Sequence, residues 1–433
     1  MLGSLLALSP VARAQVSMYT AVDMALRNST SVRMATADLD RAQAGLTEAR
    51  DVYKPSLALG GGPGYSYGFP LGEPSIFNVT SQSLVLSFSQ PDYIRSARAN
   101  VKASQLALKD IRQQVVLDTA LDYIELDKIA RQLAALDAQN TAADRLVTIE
   151  QQRIDAGLEA RTELLRAKLT AAQMRLKRLH IEDDAELLRQ KLANLTGLPA
   201  ATFVTSSQSI PAPPSFVAAD PGLRANLAAI GNDGVASAYA AAHAKNYVAF
   251  GDRRQVLRPQ IGFGATYSLF SNYNNYSEYY KSFQTNNFAV GIQITLPLFS
   301  ASLRDKARGS AADAVHALAQ ADQLRDQTGE QALQLQKSLQ ELSAQEEVAQ
   351  LQSDLSESEL QTVMAQLKSG SGSATGPQLT PKDEQQARIQ ERQRYLDLLD
   401  TRFELTRAQL NLLRTMGTIE EWAKSPAQPP AQP

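Results

Sequence analysis

The chain repeats itself, and a duplication of this length restricts the available folds more than any single motif does. Arg50-x-x-x-Lys54-Pro55 leads into SLALGGGPGYSYG, and Arg254-x-x-x-Arg258-Pro259 leads into QIGFGATYSLF, with Pro55 and Pro259 204 positions apart. LVLSFSQPDY at 84–93 matches IQITLPLF at 292–299, where Pro91 and Pro297 are 206 apart. KLANLTGLP at 191–199 resembles NLLRTMGTI at 411–419, with Gly197 and Gly417 220 apart. The offset grows by 14 between the last two anchors, so the second copy holds an insertion, most of it in SGSGSATGP at 369–377. This divides the chain into a first repeat at 15–215, a second at 216–423 and a Pro/Gln-rich tail at 424–433, expected to be disordered.

Each repeat reads as helix, strand, loop, strand, very long helix, break, helix. The entry helices are expected from Ala21 to about Tyr53 and from about Pro221 to Arg253. Strands are expected at about 56–67, 77–90, 259–270 and 284–297. Ile261, Phe263, Ala265, Tyr267 and Leu269 share one parity against Gln260, Gly262, Gly264, Thr266 and Ser268, and NNFAVGIQITLPLFS at 286–300 repeats the alternation. Period two with one apolar face marks a strand. Leu84, Leu86 and Phe88 follow the same parity more weakly. Pro91 and Pro297 end the strands and can open the next helices, where a missing N–H costs little. From Ile94 onward Val101, Leu108 and Val115 recur every seven residues, with Ala97, Ser104 and Ile111 between them, a coiled-coil seam. It belongs to a helix expected from about 92 to 155, roughly 95 Å long at 1.5 Å per residue; its counterpart is expected at about 301–368.

Apolar side chains on one face and small or polar ones on the other suit the wall of a lipid-embedded barrel. The loop SNYNNYSEYYKSFQTNN at 271–287 is polar and tyrosine-rich, as interfacial loops are. Four strands cannot close a barrel, and open sheet edges are not tolerated in lipid, so strands in a membrane would require several chains to complete one barrel together.

Net charge is −2, which gives no large basic surface for nucleic acid. With no Cys, neither disulfides, thiol chemistry nor a lipid-anchored Cys is expected of this sequence. MLGSLLALSPVARA at 1–14 has an apolar run and a small-x-small site at Ala12-Arg13-Ala14 but no preceding Lys or Arg, and reads as a truncated signal peptide. His180, His243 and His316 lie singly, without ligand spacing, and no phosphate loop, metal cluster or nucleophile–base set is present in the sequence. No enzyme activity, metal or cofactor is expected.

The duplicated plan resembles the TolC-type outer-membrane efflux protein family over roughly residues 18–423. The strongest local match is RIDAGLEARTELLRAKLTAAQ at 153–173, similar to the family's Arg-x-x-x-Gly-Leu-x-x-x-Thr-(Asp/Glu)-x-x-x-Ala helix break, with Arg153, Gly157, Leu158, Thr162, Glu163 and Ala167 at its positions. The second-repeat counterpart is Ser369-Gly370 followed by QLTPKDEQQAR, where Thr380, Asp383 and Ala387 correspond. The family's Asn-Pro after the entry helix's Ala-Leu is Asn28-Ser29 here, and Pro377 and Pro381 lengthen the second tip.

The resemblance implies a mainly α fold with transmembrane β: a homotrimer whose 12-stranded barrel in a Gram-negative outer membrane continues into a periplasmic helical barrel. It implies a passive exit duct for tripartite efflux or type I secretion, meeting a periplasmic adaptor and, through it, an inner-membrane pump. Arg153, Gly157, Leu158, Glu159, Thr162, Ser369 and Gly370 would form the adaptor-docking tip. Asp383 and Glu384 would lie at the periplasmic aperture as an acidic ring, with Lys368 and Arg161 as candidate basic partners, although carboxylates at a helix start also serve as simple caps. Ile261, Phe263, Tyr267, Phe288, Val290, Ile292 and Ile294 would face lipid. A soluble periplasmic coiled-coil scaffold or adaptor is the other reading of the heptads, but it leaves the strands unexplained.

Overall fold

The computed structural model describes residues 15–62, 75–213, 231–270, 284–369 and 379–425. The element order is β1 (Gln15–Val16), α1 (Met18–Asn28), α2 (Thr30–Asp51), β2 (Ser56–Gly61), β3 (Ser75–Ser87), α3 (Gln90–Asp155) and α4 (Arg161–Thr196). It continues with β4 (Val204–Thr205), α5 (Asp233–Gln255), β5 (Gln260–Phe270), β6 (Asn286–Thr295), α6 (Ala301–Ser369), α7 (Pro381–Thr415) and α8 (Ile419–Lys424). The expected signal segment 1–14, the end of the first strand at 63–67, most of the tyrosine-rich loop, nearly all of the 369–377 insertion and the tail beyond Ser425 lie outside the described residues.

The chain forms two compact units, and each combines segments of both repeats. One takes residues 35–108 and 233–325 and contains a four-stranded antiparallel sheet in the order β2-β3-β5-β6. The other takes residues up to 34, 109–232 and 326 onward, and is built from helices with one short parallel pair, β1 on β4.

In the helical unit the apolar faces interlock in patches. Ala135 and Leu136 of α3 pack on Leu396 of α7, and Ala332 and Leu339 of α6 pack on Ala408 and Leu412 of α7. Buried amides hold the register between patches: Gln139 donates to the Ile389 carbonyl at 3.0 Å and Gln132 to Asp400 at 2.8 Å. Tyr123, fully buried, donates to the Val16 carbonyl (2.6 Å) and accepts from the Ser206 amide (2.8 Å), tying β1 and the β4 segment to α3.

The first entry helix is not one helix. It breaks at Ser29, whose ψ of 129° is extended. Ser29 still donates its N–H to Ala25 and accepts from the Arg33 N–H, and the backbone bends here without a proline. In the second repeat the expected start of the entry helix, at about Pro221, lies outside the described residues, and α5 runs from Asp233 to Gln255. The strands end short of their expected limits: β3 stops at Ser87 because Gln90 already begins α3, and β6 stops at Thr295. Pro91 lies inside the first turn of α3, whereas Pro297 stands in the link before α6. The long helices match their expected extents closely, at 66 and 69 residues. Of the α3 seam, Val115 is buried and Ile94, Ala97, Val101, Ser104, Leu108 and Ile111 are half-buried.

Candidate functional site: the sheet faces and the helix-turn tip

The sheet register puts the apolar parities of all four strands on one face. Ile261 pairs with Ile294, Phe263 with Ile292, Ala265 with Val290 and Tyr267 with Phe288. Across β3, Tyr267 meets Val79, and Val79 in turn meets Leu59. The opposite face carries Gln82, Gly264 and Gly291 in one row and Thr80, Thr266 and Ala289 in another. Phe77 and Tyr267 add an edge-to-face contact at 6.4 Å. The seven residues expected to face lipid therefore share one face of the sheet.

Leu84 does not join them. A bulge between Leu84 and Leu86 sets Leu84 opposite Gly262 on the small-residue face while Leu86 meets Ile261 on the apolar face. One extra residue reverses the parity of everything beyond it, and the plain alternation of the sequence does not show where that residue sits.

Two properties make this sheet unusual for a solvated protein. Its apolar side chains are open: Leu57, Phe288, Ile292 and Ile294 are each 68–77% exposed. None of β2, β3, β5 or β6 contains an Asp, Glu, Lys or Arg. Edge strands in water are usually protected by charge, and β2 and β6 are edges without it.

At the junction of β3 with α3, two aspartates are almost fully buried. Asp92 accepts from Arg254 (2.6 Å) and Arg95 (3.1 Å), and Asp252 binds Lys306 (2.9 Å), Tyr93 (2.6 Å) and Ser310. Burial raises the Asp252 carboxyl, but the hydrogen bonds from Ser310, Tyr93 and Lys306 outweigh it and hold the group below the ordinary carboxylate range. Burial, and next the bond to Asp252, pushes the Tyr93 phenol up. This cluster joins α3, α5 and α6 beneath the strands, and no sequence motif announced it.

In the helical unit, α3 turns into α4 at Gly157, whose φ is +73°. The Gly157 N–H reaches the Ile154 carbonyl and the Leu158 N–H reaches that of Arg153, both at 2.8 Å, a Schellman ending. A Cβ at Gly157 would meet nothing within 4 Å, so the glycine answers to the backbone angle rather than to crowding. Leu158 is 70% exposed and Thr162 is exposed at the start of α4. Arg153 and Glu159 are not free surface groups: Arg153 Nε and a terminal nitrogen hold one Glu159 oxygen at 3.0 and 2.9 Å, closing the turn. Ser369 ends α6, and Gly370 lies outside the described residues.

Asp383 and Glu384 have partners inside the chain. Asp383 accepts the Thr380 N–H at 2.7 Å and the Thr380 hydroxyl at 2.8 Å, capping α7. Glu384 accepts two bonds from Arg388, at 2.7 and 3.0 Å, so its basic partner is Arg388 and not Lys368 or Arg161. Sequence reasoning passed over the central cation of this tip, Lys382. It reaches Glu150 at 2.8 Å, Glu163 at 3.4 Å and Glu159 at 3.8 Å, joining α7 to the ends of α3 and α4. Hydrogen bonding to the buried Glu150, opposed by partial burial, holds the Lys382 ammonium above the ordinary lysine value.

Residues 21–198 match the family described as outer membrane efflux protein. The chain is 27% identical to outer membrane protein TolC of Escherichia coli (strain K12) over 176 residues, which are 39% of this chain and 36% of TolC. The match thus spans about a third of the curated relative's length. Among solved structures, VceC from Vibrio cholerae aligns with a TM-score of 0.72 at 18% identity, over 92% of this chain and 96% of that one. The Campylobacter jejuni CmeC outer membrane channel aligns at 0.73 and 14% identity, over 94% and 89%. This chain has the TolC-type fold. The resemblance to TolC-type outer-membrane efflux proteins, read first from the duplication and the 153–173 motif, holds in the family match at 21–198 and in the fold over 92–94% of the chain.

Proposed function

We propose that this chain is the outer-membrane exit duct of a tripartite efflux or type I secretion system, a passive conduit for what an inner-membrane pump delivers. One observation carries the reading: a charge-free four-stranded sheet with an exposed apolar face and two unpaired edges. In lipid such edges must be closed by other strands, and three chains supply 12, with the apolar face outward and the small-residue face lining the duct. A soluble periplasmic scaffold would leave that apolar face in water. No catalytic step is assigned to this chain.

Within this reading the Gly157 turn, with Arg153, Leu158, Glu159, Thr162, Ser369 and Gly370, is the end offered to a periplasmic adaptor. Leu158 supplies exposed apolar surface, and the Arg153–Glu159 pair keeps the turn closed. Asp383 and Glu384 stand near the periplasmic mouth, Asp383 engaged by Thr380 and Glu384 paired with Arg388. The two repeats, 15–215 and 216–423, are the halves that build each protomer's share.

The test is the native mass of protein extracted from outer membranes in mild detergent, followed by conductance in planar bilayers. A three-chain species that conducts is expected. A monomer recovered from the soluble fraction would remove the barrel, and with it the duct.

A further inference from the structure

The strands meet the helices at one end of the sheet, where β2 and β5 begin and β3 and β6 finish. That end carries a collar of large apolar side chains in the open: Phe88, Leu257, Leu296, Leu298 and Phe299 are 41–82% exposed. Phe88 stands two residues beyond Leu86, and Leu296 two beyond Ile294, in the parity of the apolar sheet face. The collar therefore continues that face toward the helices.

Two exposed arginines lie on this collar, each over an exposed ring. The Arg258 guanidinium stands 5.4 Å from the centre of the Phe88 ring, and that of Arg304 5.2 Å from the centre of the Phe299 ring. Among the described residues neither guanidinium has an acidic partner, and the aspartates at this end are already engaged. Asp51 holds Lys54 (2.7 Å), Asp92 holds Arg254 and Arg95, Asp252 holds Lys306, and Asp305 turns to Arg308 (3.6 Å). One pair sits where β3 meets β5 and the other follows β6, so about two strand spacings, roughly 10 Å, separate them. A guanidinium stacked on a ring keeps its N–H edge outward, where it can grip two oxygens of one phosphate.

We infer that Arg258 and Arg304 hold the phosphate groups of anionic glycerophospholipids in the leaflet nearer the helices, with the acyl chains lying along Leu296 and Ile294 over the apolar sheet face. Unpaired cations beside exposed leucines match a ligand that is anionic at one end and apolar at the other. Free phosphate would need the arginines but leave the leucines in water. A zwitterionic headgroup would bring a second positive charge to two uncompensated cations, whereas a net-negative one does not. The inference rests on the membrane duct proposed above, and it names the headgroup class and the residues that hold it.

The test is lipid retention. The three-chain species extracted from outer membranes is exchanged into mild detergent holding equal amounts of phosphatidylglycerol and phosphatidylcholine with the same acyl chains, and the lipids that stay bound are counted by native mass spectrometry. The wild type is expected to keep phosphatidylglycerol in preference. A cation near anionic lipid is worth roughly fivefold in affinity, so Arg258→Gln combined with Arg304→Gln should abolish the preference while the mass stays at three chains. Both side chains are exposed and without acidic partners, so the double variant breaks no ion pair of the protomer. Lys54→Gln, at the same end of the sheet but engaged by Asp51, should keep the preference; an equal loss there would mean bulk charge and overturn the site. Displacement of the lipid by millimolar inorganic phosphate at constant ionic strength would overturn the lipid as the occupant. Equal retention of the two lipids by the wild type, or an undiminished preference in the double variant, overturns the headgroup site and leaves the duct standing. Absence of any oligomer overturns both.

Discussion

Asn28 donates its side-chain amide to the carbonyl of Thr196, the residue before Gly197, across 168 positions of sequence. The second repeat makes the same contact: Asn232 donates to the Thr415 carbonyl at 3.2 Å, two residues before Gly417. Thr196 and Thr415 each return their hydroxyl to the carbonyl four residues back, and Gly197 and Gly417 both leave their helices at positive φ, 77° and 73°. Each repeat thus ties an Asn, the last residue of α1 in the first and the residue just before α5 in the second, to the end of α4 or α7 through one side-chain amide, exposed at Asn28 and buried at Asn232. Asn28→Ala leaves a carbonyl at a helix end without this donor, at a cost of about 1–3 kcal/mol. The expected result is a lower unfolding midpoint of the detergent-extracted protein. An unchanged midpoint would show that water replaces the amide freely.

Lys382→Met removes the ammonium from Glu150, whose side chain is 2% exposed. Stripping one partner from such a pair costs roughly 3 kcal/mol, and loosening of α7 from the α3–α4 turn should follow, read as faster hydrogen exchange at 150–163 and 381–388. Because folding raises the Lys382 value above 10.5, its stabilisation is complete below that pH and is lost as pH rises through the higher folded value. The wild-type midpoint should therefore fall in strongly alkaline buffer more steeply than that of Lys382→Met. Parallel alkaline profiles would remove the lysine from the account.

Gly157→Val forces a β-branched residue to a φ of +73°, where open space surrounds the Cβ but the backbone is strained by about 1–2 kcal/mol. The three-chain mass should survive, since the turn is exposed, while efflux complementation in a strain lacking its own duct should be lost. Normal efflux at normal protein levels would count against this turn as the docking end.

Ile292→Lys and Gln293→Lys place the same charge on opposite faces of β6. A lysine on a lipid face costs about 2–4 kcal/mol near the bilayer centre, and little on the lumen side. Ile292→Lys should reduce the protein recovered in the outer membrane severalfold, and Gln293→Lys should not. Equal recovery of the two variants would contradict the assignment of faces.

The sequence by itself determined what is local or repeated. Alternation in 261–269 and 288–294 gave the strands and their faces, because a strand's side-chain period is two whatever it packs against. The heptads gave one helix of great length and the duplication its counterpart, the glycines gave the turns, and the offsets between prolines gave the repeat. The tertiary structure decided what depends on partners far apart in the chain. The Leu84–Leu86 bulge is fixed by pairing with β5 and is invisible in β3 alone. Asn28-Ser29 bends without a proline because Thr196 is there to receive the amide. Asp383 caps its own helix, Glu384 takes Arg388, and Lys382 meets Glu150 from 232 positions away. Charges on a helix choose partners by which face packing brings near them, and packing is a property of the whole chain.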